Sequence, residues 1–274
     1  MTLSVLMCLF KNDSAKHFSL AMDSLWCKQS LKPTQIVLVL DGPLSDELYA
    51  EVKLWGEQLV DVIKLIELPE NRGLGAALNI GLRHCSNEYV ARMDADDIAY
   101  PDRFLTQIKF LTENTDIDIV GSYATEVDWN GSTGALRKMP LLHKNIVENL
   151  WACPFIHPSV MFRTAKIIAV GNYEPTLRRR QDYELWFRCA YAGLKFANIG
   201  QPLLYYRFNQ YSHKKQPLAL AWEQAKIGYT GSSKLEMPFW KRFACFVPFF
   251  RALLPSKIQH VLYKMLRVFD PRRS

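Results

Sequence analysis

Apolar and polar positions along the first hundred residues switch between two periods. Residues 3–10 form a short apolar run of buried-strand length, and after Asp13 the apolar positions Phe18, Met22, Leu25 and Trp26 recur at helical spacing. Pro33 breaks that pattern, and Ile36-Val37-Leu38-Val39-Leu40 reads as a second buried strand. Leu48, Val52, Trp55 and Leu59 mark one face of a second helix; residues 62–68 predict a third strand, 74–83 a third helix and 89–93 a fourth strand. Strands alternating with helices imply parallel βαβ units, and strands apolar along their whole length imply a sheet covered on both faces. The pattern predicts a three-layer α/β domain to about residue 200 around a mostly parallel sheet. Asn130-Gly131 is a hairpin-turn pair, so antiparallel pairing is expected near residues 117–128.

Ligands of an open α/β sheet bind outside the carboxyl ends of its strands. Each of the first four predicted strands runs into polar residues there: Lys11-Asn12-Asp13, Asp41-Gly42, Asn71-Arg72-Gly73-Leu74-Gly75, and Asp94-Ala95-Asp96-Asp97. Turn chemistry alone places Asp and Gly at strand ends, but four such clusters in register favour a crevice. If the fourth strand stays extended, Asp94 and Asp96 project to one face and Ala95 and Asp97 to the other. Two carboxylates so close repel unless a cation lies between them, and Mg²⁺ or Mn²⁺ suits such a pair together with substrate phosphates. Asp97 is expected to cap the helix that begins near Pro101. Residues 71–75 contain G-x-G without the third glycine of a dinucleotide fingerprint and follow the third strand, so a tight loop is expected, with Arg72 and the next helix N-terminus turned to a phosphate. Further on, Gln181-Asp182-Tyr183-Glu184-Leu185-Trp186 opens a helical pattern. Asp182 near its start is either a dipole-complementing acid or a general base.

Charge sharpens the division of the chain. Residues 237–274 carry eight basic residues against the single acid Asp270, so the formal excess of +7 lies wholly in this tail and residues 1–236 are neutral. A nucleic-acid partner is not expected from that distribution. The tail interleaves aromatics with cations (Phe239-Trp240-Lys241-Arg242-Phe243, Phe249-Phe250-Arg251), and Ile258, Leu262, Met265 and Leu266 fit an amphipathic helix. It suits an anionic membrane surface or a helical hairpin packed on the domain. Six scattered cysteines without a C-x-x-C pair exclude zinc-ligand spacing and fit reduced, buried thiols. Residues 3–10 are too short for a signal peptide or membrane span, which points to the cytoplasm.

Together these motifs resemble the family 2 inverting glycosyltransferases of GT-A fold, from Ser4 to about Tyr211. Phe155-Ile156-His157-Pro158-Ser159 resembles the branch that includes bacterial amylovoran and O-antigen galactosyl- and glucosyltransferases. The resemblance implies a GT-A catalytic domain at 1–215, with nucleotide binding assigned to residues 1–128 and acceptor binding to residues 129–215, and a helical extension at 216–274. It implies a UDP-sugar donor and Mn²⁺ or Mg²⁺. Asp41 and Arg72 would lie at the uracil, Asp94 at the ribose, Asp96 on the metal, and Asp182 would be the catalytic base. Gln181 stands where many members have Glu, and at position 41 the usual doubled acid is reduced to Leu40-Asp41. His157 and Gln181 are candidate sugar contacts; Arg207, His213 and the tryptophans Trp151, Trp186 and Trp222 read as structural. The implied acceptor is a saccharide on undecaprenyl diphosphate, met by a peripheral enzyme at the cytoplasmic face of the bacterial inner membrane. A sugar nucleotidylyltransferase, or a non-catalytic sugar-lipid binding protein, is the alternative.

Overall fold

The apolar runs become strands in the computed structural model, which describes residues 2–207 and 217–254. β1 (Leu3–Leu9), β2 (Gln35–Leu40), β3 (Ile63–Glu67) and β4 (Tyr89–Met93) pair in parallel in the order β3-β2-β1-β4. Three helices follow the first three strands: α1 (Ala15–Leu25), α2 (Asp46–Gln58) and α3 (Leu74–Leu82). Ser14 and Ser45 cap the first two, each accepting a backbone N–H three residues on at 3.4 Å.

Past β4 the sheet becomes mixed. β8 (Met161–Arg163) lies antiparallel to β4 and to β6 (Ile119–Val127). β6 then pairs in parallel with β9 (Phe196–Arg207), whose outer neighbour is the short antiparallel β5 (Ile98–Ala99). The expected hairpin forms around Asn130-Gly131, where β7 (Thr133–Arg137) folds back on the far half of β6.

Two apolar layers cover the sheet. Val5, Met7 and Leu9 meet Phe18 and Met22 of α1, Val52 of α2, and Phe104 and Ile108 of α4 (Arg103–Glu113). Leu6, Val37 and Val39 meet Leu78 and Leu82 of α3 and, within the same layer, Leu185 and Trp186 of α7 (Gln181–Tyr191). This is the three-layer α/β/α arrangement. β3 departs from the expectation of a buried strand: it occupies the sheet edge, and its Ile-Lys-Leu-Ile-Glu residues are half-buried or exposed.

Two short helices, α5 (His143–Glu148) and α6 (Thr164–Ala169), complete the part built around the sheet. After it come α8 (Leu218–Lys234), α9 (Phe239–Ala244) and α10 (Val247–Leu253). α8 packs on α7 so closely that a Cβ on Gly231 would fall 2.2 Å from the Phe187 ring. Trp186 is fully buried, as expected of a core residue, but Trp222 is 44% exposed on α8. Among the described residues no helix is long and apolar enough to cross a membrane. The division near residues 215–216, His213 and the amphipathic pattern of Ile258–Leu266 lie outside the described residues.

Candidate active site

β4 carries five buried residues into Asp94, and there the chain turns. Because the strand does not stay extended, the expected alternation fails: an oxygen from each of Asp94, Asp96 and Asp97 lies within 4.8 Å of the others. Asp97 is not a helix cap. α4 starts at Arg103 behind Asp102, while Asp97 is buried at the far end of the turn. Its Oδ1 accepts the backbone N–H of Arg207 at 2.7 Å, and its Oδ2 is buried without a partner among the described residues. Burial and the neighbouring Asp94 raise the Asp96 carboxyl to about 6, and burial with both neighbours raises Asp97 well above the carboxylate range.

A further acid and two arginines complete this corner. Asp13, past the end of β1, accepts the Phe10 N–H at 2.9 Å, yet burial and the charges of Asp96 and Asp94 raise it to about 7. Arg92 is a β4 residue 2% exposed and ion-paired to Asp94, with Nε and Nη1 buried and without a partner among the described residues. Arg207, the last residue of β9, donates through Nε to the Asp96 carbonyl and through Nη1 to the Asp128 carbonyl, both at 2.7 Å. Arg207 thus ties the acidic turn to the β6–β7 hairpin. A cluster of hard carboxylate oxygens, one of them orphaned in the interior, fits a divalent cation of the Mg²⁺ or Mn²⁺ class.

Asp41, two strands away at the end of β2, presents the opposite situation. Its Oδ1 accepts the Arg72 N–H at 2.7 Å, and its Oδ2 accepts Asn71 Nδ2 at 2.9 Å and the Gly73 N–H at 3.0 Å. The carboxylate thus fixes the loop that carries the exposed Arg72 side chain. The glycines of this loop admit protein rather than phosphate. A Cβ on Gly75 would lie 2.2 Å from the Leu177 carbonyl, which accepts the Gly75 N–H at 3.2 Å, so the first turn of α3 is already engaged.

Asp182 lies in the first turn of α7, half-buried, and burial raises its carboxyl while Arg180 opposes the rise. Gln181 beside it is buried, with its Oε1 unpartnered. His157 opens a 3₁₀ turn, His157–Ser159, and its Nε2 is 2.9 Å from the Tyr173 hydroxyl. Burial, reinforced by Arg92, lowers its pKa well below the ordinary histidine value and keeps the ring neutral. Tyr173 feels the charges of both Arg92 and Asp182. The structure thus pairs Arg92 with Asp94 and His157 with Tyr173, sets Asp96, His157 and Asp182 within the influence of the Arg92 charge, and leaves Asp41 and Arg72 on the other side of β1. Asp13 is legible only as part of the polar cluster that follows the first strand, and sequence reading misses Arg92, Tyr173 and the tie made by Arg207. A charged residue inside the apolar run Tyr89-Val90-Ala91-Arg92-Met93 was the one local signal of this group.

Residues 19–171 match the family model for glycosyl transferase family 2. The chain is 34% identical over 214 residues to an Escherichia coli UDP-Gal:alpha-D-GlcNAc-diphosphoundecaprenol beta-1,3-galactosyltransferase, covering 78% of this chain and 76% of that protein. It is 37% identical over 202 residues to the amylovoran biosynthesis glycosyltransferase AmsE of Erwinia amylovora, covering 73% and 74%. In fold it resembles residues 1–349 of Staphylococcus aureus TarS in complex with UDP, at a TM-score of 0.67 and 18% identity over 92% of this chain and 71% of that one.

Proposed function

The chain belongs to glycosyl transferase family 2, and from that premise we propose that it transfers a hexose from a UDP-sugar, with inversion, to a saccharide carried on a lipid diphosphate. Galactose or glucose is the donor sugar favoured, and the E. coli relative's donor and acceptor support this choice. Family membership supports transfer over the nucleotidylyltransferase and binding-protein readings. The observation that carries the metal-assisted reading is the convergence of Asp94, Asp96 and Asp97 at the carboxyl edge of the sheet, with Asp97 Oδ2 unpartnered.

In this reading Asp96 and Asp97 would hold a divalent cation, and Asp94 would meet the ribose side of the nucleotide. The cation, when bound, supplies positive charge to the departing diphosphate. Arg92 fixes Asp94 by their ion pair, and Asp41 holds the 71–73 loop against the base. Asp182 takes the proton of an acceptor hydroxyl, and the oxygen attacks the anomeric carbon from the face opposite UDP. Its burial-raised carboxyl is a stronger base than an exposed aspartate, which suits proton removal from an alcohol. An α-linked donor thereby gives a β-linked product.

The same reading places the enzyme at a membrane surface. Phe239, Trp240 and Phe250 on α9 and α10 are 71%, 60% and 61% exposed, within the segment that carries all of the net charge. Replacing the three by serine should abolish sedimentation with anionic vesicles while leaving soluble-acceptor turnover intact; unchanged sedimentation rejects attachment through this face. The transfer itself is tested by UDP release from a panel of UDP-hexoses with Mn²⁺ or Mg²⁺ and a GlcNAc-diphospholipid. Asp182→Asn should retain UDP-sugar binding and lose about 10³-fold in turnover. Transfer at the wild-type rate by that variant rejects the base.

A further inference from the structure

Trp129 stands at the tip of the β6–β7 hairpin and is 47% exposed, although its surroundings hold it firmly. The Arg207 guanidinium lies over its ring at 5.7 Å, and the His17 ring of α1 is 5.2 Å away at a tilt of 42°. The backbone beneath it is fixed as well. Asp128 Oδ1 accepts the N–H groups of Asn130 and Ser132, both at 2.9 Å, and Arg137 bridges the hairpin to Glu126 at 2.8 Å. A large exposed indole that has already lost its conformational freedom is an inexpensive binding surface, because little remains to be ordered when a ligand arrives. The other two strongly exposed tryptophans, Trp222 and Trp240, belong to the tail helices; Trp129 is next to the acidic turn.

The guanidinium over the indole is the one whose Nε donates to the Asp96 carbonyl at 2.7 Å, so the ring centre lies within about 10 Å of the acidic turn, since one planar group spans both contacts. It stands on the side of β4 away from Asp41, because β6 and β9 follow β4 and β8 across the sheet while β2 lies beyond β1. A nucleotide laid between Asp41 and Asp94 leaves the Trp129 side to the other substrate. The negative face of an aromatic ring attracts the C–H hydrogens lining one side of a pyranose.

We propose that Trp129 is the stacking platform of an acceptor-saccharide subsite, which receives a pyranose ring of the glycan being extended. This deepens the transfer reading and rests on it. Tests are the kinetics of Trp129→Ala and Trp129→Phe with a UDP-hexose that the wild type uses and a GlcNAc-diphospholipid acceptor. Saturation-transfer NMR of the same GlcNAc-diphospholipid with UDP present provides a readout independent of turnover. The alanine variant should raise the acceptor KM about tenfold, the scale of one lost aromatic contact, with donor KM and thermal midpoint unchanged. The phenylalanine variant should restore most of that loss. An unchanged acceptor KM overturns the proposal, as does a rise confined to the donor KM, which would put the donor hexose on the ring. If the wild type transfers nothing, the transfer reading fails and NMR decides the platform alone: saturation of the pyranose protons by wild type and its loss in Trp129→Ala upholds it. No saturation by wild type, or equal saturation by both, refutes it.

Discussion

The ends of β2 and β4 each bury an aspartate, and the two are in opposite electrostatic condition. Asp41 accepts three hydrogen bonds from the 71–73 loop, so both of its oxygens are engaged. Asp97 accepts one, keeps a buried oxygen without a partner, and shares its corner with Asp94 and Asp96. The first arrangement is complete in the protein alone and holds a loop. The second leaves one buried oxygen without a donor among the described residues and crowds three carboxyl groups together. Burial of a carboxylate is therefore no index of its task; the number of donors already present separates a clamp from a ligand.

The contrast can be broken most severely at Asp96. Asp96→Asn should lower cation-dependent transfer by roughly 10³-fold or more, measured as UDP release, with the fold intact by circular dichroism. Asp→Asn exchanges at the two buried positions should then move stability in opposite directions. Asp41→Asn sets an NH₂ group against backbone N–H donors that need an acceptor, and should cost about 2–4 kcal/mol in urea unfolding. Asp97→Asn keeps an acceptor for the Arg207 N–H and removes an acid whose ionisation burial and its neighbours oppose, so the cation-free protein should melt a few degrees higher, by about 1 kcal/mol, and gain less from added Mn²⁺.

Smaller still is a dependence on pH. Asp96 and Asp13 are raised from 3.8 to about 6 and about 7 in the folded chain, so between those values and 3.8 the folded state binds more protons than the unfolded one. Stability from these groups is greatest below about pH 4 and declines as pH rises to about 7. With chelator present, the melting midpoint should show that downward contribution, and Asp96→Asn should flatten it. Excess Mn²⁺ should offset it chiefly above pH 6. An identical slope in wild type and Asp96→Asn would show that the acidic corner stores no such repulsion.

Much of the fold could be read from the chain because β1, β2 and β4 are buried on both faces and largely apolar. β3 escapes that reading for the converse reason: at a sheet edge Lys64 and Glu67 cost nothing, and periodicity does not reveal which strand is outermost. The acidic cluster is legible as a pair, since Asp94 and Asp96 are near in sequence. Asp97 goes to the wrong neighbour when strand alternation is extended through a turn. Arg207 is invisible as a partner of the acids, since 110 residues separate it from Asp97 and the pairing of β9 with β5 and β6 is what brings it there. Gly73 and Gly75 look like a phosphate loop in the sequence, but the backbone that approaches them is residues 174–178 of the same chain.

The bond from the Arg207 N–H to Asp97 also sets an order of assembly. β9 lies between β6 and β5, so its docking closes the largest span of chain in the sheet, and contacts of such separation form late. A nascent polypeptide can build the parallel strands β1 to β4 long before Arg207 has been synthesised. Until that strand arrives, the acidic turn lacks the donor that holds Asp97 and the guanidinium that holds the Asp96 carbonyl. Chains interrupted before residue 207 are thus expected to fold partway and stay inert, so that catalytic competence coincides with completion of the sheet.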